Sequence, residues 1–197
     1  MEMPRTVNVP DRFLLVVLAA PPTSSGSVTL NRVKMASAHL GYSTYRIVNL
    51  LNMATTDVNN IAEVGADREG WLGSRLPISN GARGAGAALL AYGVSEPLGV
   101  AREFFREQVR WLRDELEASG IESIITFGGR TRHPSRWQRG LASVPIAETF
   151  EARCRAAYKI ESLSSLPDLS ILSRINREEV TAASMEDRAE VIGNLHA

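Results

Sequence analysis

"RFLLVVLAA", residues 12–20, is an uninterrupted apolar run between Pro10 and Pro21. A run this short and this apolar predicts a strand buried on both faces, as in a parallel sheet. No stretch of the chain approaches the roughly eighteen apolar residues of a membrane span. The acidic and proline residues before the run are unlike a secretory signal. We therefore expect a cytoplasmic protein with no membrane partner.

Helical and strand patterns alternate along the rest of the chain. Further strands are predicted at 44–52, 87–93 and 121–129, and helices at 29–41, 99–120 and 146–158. In the first helix Leu30, Val33 and Leu40 fall on one stripe. Strands that alternate with helices imply right-handed crossovers and a parallel sheet. We expect an α/β fold, a three-layer α/β/α sandwich with a four-stranded mainly parallel sheet.

The charges are unevenly distributed along a chain of zero formal net charge. Residues 1–160 carry 19 basic and 15 acidic groups, whereas residues 161–197 carry 3 and 7. We predict an α/β domain over 1–160 and an acidic C-terminal extension over 161–197, built from short helical fragments and packed on the domain or partly mobile. A mildly cationic body is compatible with a polyanion as partner.

Several classes of site lack their signatures. Cys154 is the only cysteine, and His39 and His196 have no ligand-like spacing to His133, so we expect no metal site and no iron–sulfur cluster. The chain has neither a Walker-type glycine loop nor a nucleophile elbow. We predict no cofactor.

The predicted carboxyl ends of the strands carry the chemistry-bearing residues. Their sequences are "AAPPTSS", "NLLNMATTD", "YGVSEP" and "GGRTRHPSRW". Ligands of open α/β sheets bind beyond the carboxyl ends of the strands. Imidazole polarises carbonyl oxygens, asparagine suits the edge of a base, and arginines hold phosphates. An aromatic side chain can act as a wedge in a base stack. Together these residue types are those of an enzyme that extracts and reads a base, and we expect three of the segments to converge on one crevice that holds the everted base.

Three of these segments carry a resemblance. "LAAPPTSSG", "GYSTYRIVNLLNMATTD" and "RHPSRW" resemble, in order and approximate spacing, an uncharacterised bacterial and phage family with Asn-Pro-Ser-Thr, Val-Asn-Leu-Phe and Arg-His-Pro motifs. The same layout resembles the uracil-DNA glycosylase superfamily over about residues 12–142. The resemblance implies a uracil-DNA glycosylase-like fold and a DNA glycosylase that flips out a pyrimidine and hydrolyses its N-glycosidic bond.

The resemblance also implies roles for individual residues. Asn49 matches the base-reading asparagine, and His133 matches the histidine that stabilises charge on the departing base. Pro134 and Ser135 match a turn that holds a phosphate, and Trp137 falls at the intercalating wedge. DNA, a duplex with a modified or damaged base, is the implied partner. Its phosphates are assigned to the neighbouring arginines Arg130, Arg132, Arg136 and Arg139.

The first loop departs from the family pattern. Ala20-Pro21-Pro22 stands where the family has the water-activating acid or amide, the proline and an aromatic or serine. Alanine cannot orient water, so we assign that role to Asn52, Asp57 or Ser25. The missing aromatic opens one side of the substrate pocket. We therefore expect a 5-substituted pyrimidine as substrate, and since phage DNA carries such bases, a role in antiviral defence.

Less specific interpretations of the same residues remain open. His133 before a proline can cap a turn, Asn49 can bond a neighbouring strand, and Asn52 and Asp57 can cap loops. The arginines can be a solvated face that pairs with the acidic tail, and the Trp137 ring can cover an apolar gap. Two other functions are a non-catalytic reader of modified or damaged DNA, which Ala20 favours, and an enzyme acting on free nucleotides or nucleosides.

Overall fold

Five strands form one sheet in this computed structural model, which describes residues 12–56, 58–141, 149–166 and 168. The strand order is β2-β1-β3-β4-β5. The first four strands are parallel, and β5 pairs antiparallel with β4. Their bounds are β1 Phe13–Leu18, β2 Tyr45–Asn49, β3 Ala85–Leu90, β4 Ser123–Phe127 and β5 Tyr158–Ser162. The predicted α/β fold and mainly parallel sheet are confirmed, but the prediction of four strands is wrong.

β1 lies inside the sheet, between β2 and β3. All six of its residues are buried. Val16 is in register with Ile47 on one side and with Leu89 on the other. A strand with parallel neighbours on both sides and helices on both faces has no residue in contact with water, so it needs apolar residues at every position. The apolar run at 12–20 therefore predicted this strand correctly.

Six α-helices and two 3-10 helices accompany the sheet in the described part of the chain. They are α1 Ser27–His39, α2 Val58–Val64, α3 Arg68–Leu72, α4 Arg75–Ala82, α5 Ala101–Ala118 and α6 Phe150–Ala157, with 3-10 turns at Pro134–Leu141 and Leu163–Ser165. The three predicted helices correspond to α1, α5 and α6. Leu30 is 44% exposed, so the predicted apolar stripe of α1 is wrong at that position.

The two faces of the sheet support separate cores. Leu15 and Val17 of β1 face a cluster that includes Phe105 and Val109 of α5. Leu14, Val16 and Leu18 face a second cluster formed with α1, the 3-10 helix Pro134–Leu141 and α6. This alternation follows from the two-residue period of a strand, and it is compatible with a three-layer arrangement.

The C-terminal part of the described chain differs from the prediction. We expected short helical fragments from residue 160 onward, whereas β5 continues to Ser162, with Ile160 in register with Ile125 of β4. The 3-10 turn Leu163–Ser165 that follows is such a fragment. Residues 167 and 169–197, most of the predicted acidic extension, lie outside the described residues. None of the described helices combines the length and the apolar composition that crossing a membrane requires.

Candidate functional site

The loops that follow β1 and β2 meet at the carboxyl edge of the sheet. Leu50 and Leu51 donate backbone hydrogen bonds to the carbonyls of Leu18 and Ala19, both at 2.9 Å, which extends the pairing beyond the strands. Farther on, Pro22 and Thr55 form a parallel bridge, and the Thr55 N–H donates to the Pro21 carbonyl at 2.9 Å. Two of the three sequence motifs are therefore held together by backbone hydrogen bonds.

A cleft of about 530 Å³ lies beside these loops, between β2 and α4. Its volume is within the range of about 300–1,000 Å³ that is usual for small-molecule sites. The lining residues are Pro21, Arg46, Ile47, Val48, Asn49, Asn52, Ser74, Pro77, Asn80 and Gly81. The lining is thus mostly amide, hydroxyl and small apolar groups with one arginine.

Asn49 ends β2 at the wall of this cleft. Its carbonyl oxygen Oδ1 is shielded from solvent and has no hydrogen-bond donor among the described residues. A buried acceptor without a donor costs about 1–3 kcal/mol. Folded proteins keep few such groups, and their positions often have a functional reason. Because this atom is shielded as it stands, a ligand in the cleft can reach it only after the side-chain amide turns.

A buried chain of hydrogen bonds supports the cleft wall from behind. Ser74 Oγ lies 2.6 Å from the Leu50 carbonyl, directly after Asn49. Gln108 of α5, which is fully buried, donates from Nε2 to Ser74 Oγ at 2.8 Å. Arg75 Nε donates in turn to Gln108 Oε1 at 3.1 Å. These contacts fix the backbone that carries Asn49 relative to α4 and α5.

Gly81 allows α4 to approach β2 closely. A Cβ atom at position 81 would lie 2.7 Å from Val48 Cγ1, much closer than two carbon atoms can pack. Val48 is β-branched and cannot easily turn away. Glycine at this position therefore sets the distance between the two walls of the cleft.

The Arg-His-Pro segment has a different environment. It begins the 3-10 helix Pro134–Leu141, where the Arg136 N–H donates to the His133 carbonyl at 2.9 Å. His133 Nδ1 lies 2.9 Å from Ser135 Oγ and accepts from the Ser135 N–H at 3.3 Å. Nδ1 acts as the acceptor here, so the neutral ring carries its proton on Nε2. Burial lowers the pKa of His133, and the positive charge of Arg136 lowers it further.

Trp137 is fully buried, so the prediction of an intercalating wedge is wrong. Its ring stacks on Phe127 of β4, with centroids 4.5 Å apart and planes within 3°. Its Nε1–H donates to the Arg132 carbonyl at 3.0 Å. The less specific interpretation, in which the ring covers an apolar gap, is correct.

The expected convergence of three motifs on one crevice is also wrong as stated. The cleft is lined by Pro21, Asn49 and Asn52 but by no residue of 128–139. The 3-10 helix Pro134–Leu141 packs instead with α1 and α6 in the second core. His133 thus belongs to the loop after β4, outside the wall that Asn49 forms.

The other predicted site residues occupy varied positions. Ala20 is half-buried against the first core and does not line the cleft. Pro22, Ser25 and Asn52 are exposed. Among the residues proposed to contact DNA, Arg130, Arg132 and Ser135 are half-buried, whereas Arg136 and Arg139 are exposed. Asp57, proposed to position water, lies outside the described residues.

Sequence reasoning missed the part of the cleft that α4 contributes. Ser74, Pro77 and Asn80 were assigned no role, although they form the wall opposite β2. The one local signal was the polar "SNG" at 79–81, shortly before the strand predicted at 87–93. These residues approach β2 because α4 packs against it, and the sequence pattern of a single strand does not predict such packing.

The described residues contain no group of three or more His, Cys, Asp or Glu side chains that could hold a metal ion. Comparison of the chain with protein-family models, with curated proteins and with solved structures finds no match in any of the three.

Proposed function

We propose that the protein is a DNA glycosylase that takes an everted pyrimidine, most favourably a 5-substituted one, into the cleft between β2 and α4. The observation that carries the proposal is the Asn49 carbonyl oxygen, which has no donor among the described residues and belongs to a side chain that lines a cleft large enough for a nucleobase. From the resemblance of the motifs within residues 12–142, the same proposal includes a fold like that of the uracil-DNA glycosylases.

The chemistry of a pyrimidine complements the Asn49 amide. Uracil and thymine present a ring N–H donor beside carbonyl acceptors, and cytosine presents an exocyclic amino group. An asparagine amide offers one acceptor and one donor group, so it can pair with such an edge at two points. Asn52 and Asn80 line the same cleft and provide further amide groups. A base bound here would supply the donor that Asn49 Oδ1 lacks.

The lining also favours a substituent at the pyrimidine 5-position. No aromatic ring is among the ten lining residues, and the Ala20-Pro21-Pro22 segment contributes only Pro21. In the proposed enzyme, therefore, no aromatic side chain of the lining blocks a methyl, hydroxymethyl or larger group. Modified phage DNA carries such bases, which connects the proposal with antiviral defence.

His133 is the electrophile of the proposed reaction. Departure of the base leaves negative charge on a base oxygen, and a hydrogen-bond donor directed at that oxygen lowers the barrier. The ring supplies such a donor as the neutral Nε2–H form, which its lowered pKa maintains at pH 7. Because His133 is not part of the cleft wall, the proposal requires the bound nucleotide to bridge the loops after β2 and β4.

A non-catalytic reader of modified or damaged DNA is the second candidate. Ala20 cannot activate water, and the ten residues that line the cleft include no carboxylate. This arrangement supports binding of a base more directly than hydrolysis. The burial of Trp137 removes the proposed wedge and favours the third possibility, an enzyme acting on free nucleotides or nucleosides.

The deciding experiment incubates the full-length protein with duplexes that each contain one pyrimidine: uracil, thymine, cytosine, 5-hydroxymethylcytosine or its glucosylated form. Alkali then cleaves any abasic site. We expect release of a 5-substituted base, lowered about 10- to 100-fold in Asn49→Ala, which corresponds to the loss of one base-reading contact of about 1–3 kcal/mol. Ser164→Ala is the control, an exposed polar side chain in the turn after β5 that does not line the cleft.

Other outcomes lead to different conclusions. Binding of a modified duplex without abasic sites, weakened by Asn49→Ala, supports the reader and rejects the glycosylase. Cleavage of free nucleosides in preference to duplexes supports the third function. Release of uracil alone contradicts the open-pocket argument.

A further inference from the structure

The helices on the two faces of the sheet differ sharply in charge. Helices α2 to α5, on the side of the first core, carry six Lys and Arg residues and seven Asp and Glu residues. Helices α1 and α6 and the 3-10 helix Pro134–Leu141, on the side of the second core, carry six basic residues and one acidic residue. Although the chain has zero formal net charge, the helices on the side of the first core are nearly balanced in charge, and those on the side of the second core form a cationic layer.

Ion pairing follows the same division. The pairs Arg68–Glu107, Arg75–Glu107, Arg102–Glu96, Arg106–Glu96, Arg113–Asp114 and Arg113–Glu117 all use cations of α3, α4 or α5. In the cationic layer, the exposed side chains of Lys34, Arg136, Arg139 and Arg155 form no ion pair with a described residue. Within the described part of the chain, no carboxylate forms an ion pair with any of these four side chains.

The other two cations of this layer hold its elements together. An Arg32 guanidinium N–H donates to the Pro134 carbonyl at the start of the 3-10 helix, and Arg153 donates to the Leu141 carbonyl at its end. Arg32 also lies over the ring of Phe150 at the start of α6, 5.3 Å from its centroid. The exposed cations therefore project from a fixed surface, which we call the basic face (the exposed sides of α1, 3-10 helix Pro134–Leu141 and α6).

We propose that the basic face binds the phosphate backbone of duplex DNA. Three of its four exposed cations without an ion pair to a described residue are arginines, whose planar forks match phosphate at two points, whereas an anionic membrane surface attracts lysine equally well. Since α1 follows β1 and the 3-10 helix follows β4, both begin at the carboxyl edge of the sheet, where the cleft also lies. This inference rests on the proposed function, for which the face holds the duplex that presents the base.

The test measures binding of a short unmodified DNA duplex to the full-length protein over a range of salt concentrations. We expect Arg136→Gln/Arg139→Gln to weaken binding about 10- to 100-fold at about 0.1 M salt, and to reduce the slope of log affinity against log salt by about two. The control is Arg83→Gln/Arg110→Gln, which removes two exposed arginines outside the basic face and leaves binding near the wild-type value. Anionic phosphatidylserine vesicles serve as the competing probe.

Each outcome decides the proposal. Absence of duplex binding by the wild type, an equal loss in both double variants, or tighter binding to vesicles than to DNA overturns it. The base-release assay is scored separately on the wild type. If the wild type releases a base and both double variants bind the duplex equally well, the basic face is refuted, whereas the proposed glycosylase activity is supported. If duplex binding depends on Arg136 and Arg139 but no base is released, the basic face is supported and the glycosylase activity is refuted.

Discussion

The loops after β1 and β2 and the segment after β4 both carry residues suited to a nucleotide, yet the fold uses them differently. At the end of β2, the Asn49 carbonyl oxygen has no donor among the described residues, and its side chain lines a cleft. After β4, His133 Nδ1 is paired with Ser135 and the Trp137 indole is buried and hydrogen-bonded. A residue type indicates function only where the fold leaves its reactive or recognition atoms without a structural partner.

The largest effect expected from this comparison concerns the Trp137 ring. Trp137→Ala leaves a cavity between β4 and α6, so we expect the free energy of unfolding to fall by about 3–5 kcal/mol. Chemical denaturation measures it. Trp111→Ala is the control, because that ring is only half-buried and its loss should cost less. An intercalating Trp137 would give the opposite pattern: unchanged stability and weaker DNA binding.

An intermediate effect is expected behind the cleft wall. Ser74→Ala removes the acceptor of Gln108 Nε2, a donor that stays buried. We expect a loss of about 1–3 kcal/mol in the free energy of unfolding, together with weaker base binding because the backbone at Leu50 loses its anchor. Ser95→Ala, at an exposed site, should change stability by less than about 0.5 kcal/mol. Equal stability of the two variants would show that the network does not support the wall.

The smallest effect concerns protonation of His133. Because the folded state lowers the pKa of this ring below its usual 6.5, the unfolded chain binds the proton more readily. The free energy of unfolding that depends on a neutral His133 is therefore fully present above pH 6.5, and it is lost as the pH falls through the lowered pKa. We expect His133→Gln to flatten the dependence of unfolding free energy on pH in this window, with Gln138→Ala as the exposed control. A wild type that gains stability on acidification would contradict the assigned cause.

Local patterns were enough to predict the elements whose burial repeats along the chain. The six apolar residues of β1 and the amphipathic 18-residue helix α5 are of this kind. β5 was missed because an antiparallel edge strand is defined by its pairing with β4, and its exposed Lys159 and Ile160 show no alternation. The short helices α2 and α3 have too few turns for a periodic pattern to appear.

The sequence predicted the side of the candidate site that follows β1 and β2, but not the wall formed by α4. Pro21, Asn49 and Asn52 come together because parallel strands bring their carboxyl ends to one edge, a rule that needs no side-chain information. The wall from α4 and the burial of Trp137 depend on packing between separate elements. Phe127 precedes Trp137 by ten residues, but nothing in that spacing predicts that their rings stack.

Gly81 has a consequence for how this molecule can be remodelled. Because Gly81 has no side chain, α4 packs directly against Val48. The size of the side chain at position 81 therefore sets the width of the cleft between α4 and β2. Replacement by alanine would push the helix, and Asn80 with it, outward and admit a bulkier guest, while Asn49 and Asn52 on the β2 side keep their positions. Selectivity for size and selectivity for polarity are thus governed by different residues, and either can be tuned while the other is kept.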